Sequence, residues 1–218
     1  MAEAFAAMVE PGLFEQPRYN IAPMQEVPVV AVLREGQGGE QAGQRRQVRL
    51  MRWGLIPSWA EDVSIGNRMI NARAESVAQK PAFRAAYARR RCLVPADGFY
   101  EWQRTGGGKQ PFYMQIGEGE LFAFAGLWER WRRDDADVVE SFTIITTDAD
   151  AQLRDIHDRM PVIVSPADWR TWLDPAADPA SLQRLLRPWH GPLSRTPVTQ
   201  HVNSPRHDDP HCIDPLLW

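Results

Sequence analysis

Apolar residues along this chain come in short runs separated by polar turns, with few long helical stripes. The run VPVVAVLRE (27–35) is rich in β-branched residues and predicts a strand. The polar stretch GQGGEQAGQRRQ (36–47) predicts a hairpin loop that returns through VRLMRWGLI (48–56). CLVPADGFYEW (92–102), PFYMQI (111–116) and LFAFAGLWERW (121–131) read as strands divided by Gly-rich turns, followed by SFTIITT (141–147) and MPVIV (160–164). Gly106–Gly108 predict a hairpin turn and not a phosphate loop, because no Lys-Ser or Lys-Thr opens a helix after them.

Helical signals are fewer. AEAFAAM (2–8) is Ala-rich, and KPAFRAAYARRR (80–91) tolerates Pro81 in its first turn. SPADWRTWL (165–173) places Ser165 as an N-cap before Pro166, and DPASLQRLLRPW (178–189) predicts a helix stopped by Pro188. EPGLFEQPRYNIAP (10–23) reads as a loop, and DADAQLRDIHDR (148–159) as a short helix or turn. Strands dominate the middle with no regular alternation of strand and helix. This predicts an α+β fold: one compact domain over 1–218, with a curved, mostly antiparallel, barrel-like sheet, peripheral helices and an irregular tail over 191–218.

Composition changes this picture only by exclusion. A net charge of −3 leaves no global basic footprint, although local clusters can still steer nucleic acid. Nothing approaches the roughly 20 apolar residues that span a bilayer, so no membrane partner is expected. MAEAFAAMVE lacks the basic start of a secretory signal, and the two cysteines, Cys92 and Cys212, make no disulfide framework. A reducing cytoplasm is expected, with nothing demanding more than a monomer.

Chemistry gathers at a few points. In DGFYEW (97–102), alternation puts Glu101 on the same side as Phe99, away from Tyr100 and Trp102. A carboxylate facing an apolar layer is either an ion-paired edge acid or an acid needed with an altered pKa. His157, between Asp155, Asp158 and Arg159, is either a solvated turn histidine or an acid-base group. If extended, Asn71, Arg73 and Glu75 share one face, suited to a phosphate or sugar with Glu75 keeping Arg73 oriented, or to cross-strand ion pairs. Trp59 can stack on a base or cover the core, and the local pattern favours the core. His201, His207, His211 and Cys212 match no paired-ligand spacing, so neither a metal nor another cofactor is expected.

Taken in order, RYNIAP, RWGLIPSWAED, MINARAES, RCLVPADGFYEW, ITTDAD and IHDRMPVIV resemble the SOS response-associated peptidase (SRAP) family over nearly the whole chain. The resemblance implies a curved antiparallel sheet and a role at abasic sites in single-stranded DNA, bound at the nucleoid. There, an amino-terminal cysteine condenses with the sugar aldehyde through its α-amine and closes a thiazolidine ring with its thiol. By the same resemblance Glu101 moves protons at the aldehyde, His157 assists ring opening and cross-link reversal, and Asn71 positions the reacting groups. Arg73 holds phosphate, and Asn20, Pro23, Trp59 and Arg159 contact DNA. The family begins Met-Cys-Gly-Arg where this chain reads MAEAF, which predicts a start truncated by about ten residues. A thiol peptidase acting through the same cysteine, and a non-covalent single-stranded DNA-binding module, are the alternatives.

Overall fold

The computed structural model describes residues 2–9, 16–33, 45–117, 119–133 and 138–216. Most of the 36–47 hairpin loop and the first part of the 10–23 loop therefore lie outside the described residues. Eleven strands are present among the described residues: β1 (Glu26–Leu33), β2 (Arg45–Trp53), β3 (Asn71–Arg73), β4 (Arg91–Ala96), β5 (Phe99–Thr105), β6 (Gly108–Ile116), β7 (Phe122–Arg132), β8 (Val138–Asp148), β9 (Arg159–Pro161), β10 (Ile163–Val164) and β11 (Leu193–Pro197).

The larger sheet runs β10-β7-β4-β1-β2-β8-β3, and a further β7–β8 pairing joins β7, β4, β1, β2 and β8 into a closed ring. Closure leaves these five strands without a free edge, which is how a barrel-like wall is stabilised. The α+β, barrel-like expectation is met. Pairing is mostly antiparallel, but β8 takes both β2 and β3 in parallel.

The wall is covered on both faces, so its strands read as continuous apolar runs. Phe122 to Trp128 are all buried. On one face Val30, Leu93, Ala125 and Leu127 pack with Phe5, Phe83, Tyr87 and Trp172. On the other, Val29, Cys92, Phe124 and Phe142 meet Met114, Leu153 and Ile156. Phe5 stacks on Trp169 with centroids 4.1 Å apart, which seats the short helix Ala2–Phe5. Buried Arg91 satisfies its guanidinium on the carbonyls of Trp172, Tyr87, Ala88 and Asp174, locking helices Arg84–Arg89 and Trp169–Leu173 to β4.

Three departures from the sequence reading stand out. CLVPADGFYEW is two strands, because Asp97 and Gly98 break it and β5 leaves for a second sheet ordered β11-β6-β5. The tail is not wholly irregular: Leu193–Pro197 forms β11 and pairs with β6 from Leu193↔Ile116 to Pro197↔Phe112. Ser165 precedes a 3-10 turn (Pro166–Asp168) without a capping bond, and its hydroxyl donates to Asp168 Oδ2 at 2.8 Å instead.

Gly54 and Gly66 make one approach that no other residue allows. A Cβ on Gly66 would lie 2.6 Å from the Gly54 carbonyl oxygen, and Gly54 itself has φ +130. Because the obstruction is backbone, it cannot swing aside. Gly66→Ala is expected to lower unfolding free energy by about 2–3 kcal/mol in urea titrations, with the loop before Trp59 displaced.

Candidate functional site

The site forms where the second sheet, the end of β8 and the turns after it converge. Phe99 packs edge-on against Phe122 and Phe124, while Tyr100 and Trp102 turn away to meet Tyr19 and Tyr113. Glu101, on the Phe99 side, is thereby held between the sheets. No ion pair to Lys or Arg reaches it among the described residues. Burial pushes its pKa from 4.5 up to about 7, opposed by the neighbouring His157 and the Trp102 amide and reinforced by Asp158. The ion-paired edge-acid reading is not what this geometry supports.

His157 ends a run of turns anchored across β5. Gln103, two residues beyond Glu101 and on its face of the strand, donates to the Asp155 carbonyl at 3.1 Å. Arg195 on β11 reaches the Gln152 carbonyl and the Asp155 carboxylate at 2.8 and 2.6 Å. His157 Nδ1 lies 3.0 Å from the Arg159 amide, 3.1 Å from the Arg159 carbonyl and 3.3 Å from Asp158 Oδ1, and Nε2 has no protein partner among the described residues. An acid titrating near neutrality beside an exposed imidazole can both give and take protons.

Asn71 and Arg73 lie on β3 with Ala72 buried between them, so both face outward as the alternation predicts. Their partner is β8, with Asn71 opposite Ile144 and Arg73 opposite Thr146. Glu75 follows in a turn and orients a different arginine from the one the sequence suggests. Arg159 grips both its carboxylate oxygens at 2.9 and 3.0 Å, and also bonds Asp148 at 2.6 Å and the Thr146 carbonyl at 2.7 Å. The Arg73 carbonyl accepts from the Ser76 amide at 3.1 Å, while its guanidinium makes no hydrogen bond among the described residues.

Trp59 corrects the local reading that placed it over the core: it is 60% exposed. Its turn is fixed from beneath by Trp131, whose indole donates to the Ala60 carbonyl at 2.7 Å. Pro23 is exposed in a turn where Met24 takes φ 75. Asn20 is buried, and its amide donates to the carbonyls of Val202, Ser204 and His207 at 2.9–3.1 Å. Those bonds, with Asp208 accepting from the Tyr19 and Asn20 amides, tie the tail to the amino-terminal loop. Asn20 thus supports the site from behind, and a DNA contact through its amide would have to break these bonds.

Sequence reasoning missed Gln103, Arg195 and Asp148 as positioning groups. Gln103 had one signal, its place two residues from Glu101, whereas the other two act through tertiary contacts alone. In the tail, donor atoms of His201, Asp209 and Cys212 lie within 4.8 Å of one another and are the residues that could hold a metal. Each already has a partner: His201 bonds Asp209 at 3.0 Å, and the Cys212 thiol donates to the His207 carbonyl at 3.5 Å.

The closed strand ring thus carries a carboxyl group of raised pKa beside an exposed histidine, with Arg73 and Arg159 on strands that flank the end of β8. The chain belongs to the SRAP family: the model described as SOS response associated peptidase matches residues 1–205. It is 40% identical to Abasic site processing protein YoqW of Bacillus subtilis (strain 168), over 91% of this chain and 86% of that one. To Abasic site processing protein HMCES of Xenopus tropicalis it is 31% identical, over 93% of this chain and 67% of that one. A crystal structure of a Bacteroides thetaiotaomicron protein superposes with a TM-score of 0.77 at 28% identity, covering 89% and 82% of the two chains. A second, from Bordetella bronchiseptica, gives 0.73 at 27%, covering 91% and 94%. No helix among the described residues is long and apolar enough to cross a membrane.

The raised pKa of Glu101 has a measurable sign. The fold favours its neutral form, so that contribution is complete below pH 4.5 and is lost as pH rises through about 7. Glu101→Gln is expected to gain stability relative to the parent between these values, by roughly 1–3 kcal/mol. Denaturant titrations at pH 4.5 and pH 8 measure it; an equal effect at both would place the Glu101 pKa in the ordinary range.

Proposed function

We propose that this protein processes abasic sites in single-stranded DNA, binding the strand and forming a covalent thiazolidine link through an amino-terminal cysteine. The observation that carries this reading is Glu101, an acid with a pKa of about 7 set beside His157. Thiazolidine formation needs proton transfers at each stage. The α-amine adds to the aldehyde, and the carbinolamine loses water to give an imine. The thiol then adds across the C=N bond, sulfur going to carbon and the proton to nitrogen. Neutral Glu101 gives a proton to the departing hydroxyl, and as carboxylate it takes one from the incoming thiol. His157, with Nε2 free, serves the opening of the sugar ring and the reverse reaction. Asn71 positions the reacting groups, Arg73 holds a backbone phosphate, and exposed Trp59 offers a face for base stacking.

The nucleophile must carry amine and thiol on one residue, which Cys92 and Cys212, both internal, cannot do. Nor do these two suit a thiol peptidase, because burial pushes both thiols up and away from the reactive thiolate.

Two variants test the reading. In a protein carrying the amino-terminal cysteine, Glu101→Gln is expected to slow cross-linking about 100-fold while leaving strand affinity within about twofold. Equal losses of rate and affinity would make Glu101 structural. Arg73→Ala is expected to weaken binding and to make the dependence of log affinity on log salt shallower by about 0.7. Fluorescence anisotropy at several salt concentrations reads this, and an unchanged slope would remove Arg73 from the phosphate contacts.

A further inference from the structure

Arg159 is not an idle cation waiting for DNA. Its two terminal nitrogens bond the two oxygens of Glu75 at 2.9 and 3.0 Å, the parallel fork geometry that a guanidinium also offers a phosphate. Asp148 adds a second carboxylate at 2.6 Å. The three side chains differ in exposure: Arg159 is 20% exposed, Glu75 51% and Asp148 78%. The guanidinium is therefore rooted, held also by the Thr146 carbonyl, while the carboxylates are its outer, water-facing partners. Both carboxylates face water, so they can rehydrate when another anion takes their place on the guanidinium.

We infer that Glu75 is a carboxylate stand-in for a DNA phosphate on Arg159, displaced when the strand arrives, so that Arg159 engages DNA only against an internal competitor. This rests on the single-stranded DNA reading above and deepens it. Arg73 supplies the unconditional phosphate contact and Arg159 a conditional one. With Glu75 and Asp148 in place, the two arginines are matched by two acids, and the patch as a whole attracts an intact strand weakly. A strand whose abasic sugar is seated at Glu101 and His157 brings its neighbouring phosphate to the fork and competes successfully. Glu75 thereby tempers binding to strands without damage.

The test is a double-mutant cycle of Glu75→Gln and Arg159→Ala, read by anisotropy with an undamaged single-stranded oligonucleotide across a salt series. Glu75→Gln is nearly isosteric, and Glu75→Ala serves as a second variant with the same expected sign. The expected result is about threefold to tenfold tighter binding for Glu75→Gln, with a salt slope steeper by about 0.7. Arg159→Ala alone should change affinity less than about twofold, and combined with Glu75→Gln it should abolish the gain. Unchanged or weaker binding by both Glu75 variants overturns the inference, leaving Glu75 a structural clamp. A gain that survives in the double variant overturns it too, as general charge relief. If the parent binds the strand and only the cycle fails, the functional reading stands; if no protein binds, both fall.

Discussion

Strand β8 makes four pairings, and the site depends on all of them. Its ladders to β2 and β7 close the ring. Its parallel ladder to β3 sets Asn71 and Arg73 opposite Ile144 and Thr146. Its antiparallel ladder to β9 sets Asp148 opposite Arg159, and the Ala149 amide then donates to the Asp158 carbonyl at 2.9 Å. Slipping either ladder by one residue would turn the outward polar groups into the core, a cost the buried Ala72 and Ile145 make prohibitive. Backbone register, more than any side-chain contact, fixes where the arginines stand.

The second sheet supplies what β8 does not. Aromatic packing on both faces of β5 half-buries Glu101 without pairing it to Lys or Arg, and that burial is the largest cause of its pKa rising to about 7. The neighbouring polar cluster obeys the opposite rule: Arg159 is paired with two carboxylates, Glu75 and Asp148, that face water. The site thus sets a half-buried acid of raised pKa beside an ionic patch, the two meeting at the His157–Arg159 turn.

Much of this was legible in the sequence. Period-two alternation in FYEW placed Glu101 opposite Tyr100 and Trp102, and the same rule placed Asn71 and Arg73 on one face. Where reading failed, the deciding forces act at long range. Trp59 looked like core cover, yet Trp131, 72 positions later, holds the turn from below and leaves the ring exposed. Glu75 looked like the partner of Arg73, but the β8–β9 ladder delivers Arg159 to it. The Pro- and His-rich tail conceals a strand, because β6 provides the pairing edge that local composition does not advertise.

The most direct test is a denaturing gel of abasic single-stranded DNA incubated with two proteins. One is the 218-residue chain; the other is the same chain carrying a processed amino-terminal Cys-Gly-Arg and a spacer. The account predicts a shifted, heat-resistant band with the cysteine-bearing protein alone. No band with either would contradict it, leaving Glu101 as a buried acid without a reaction to serve.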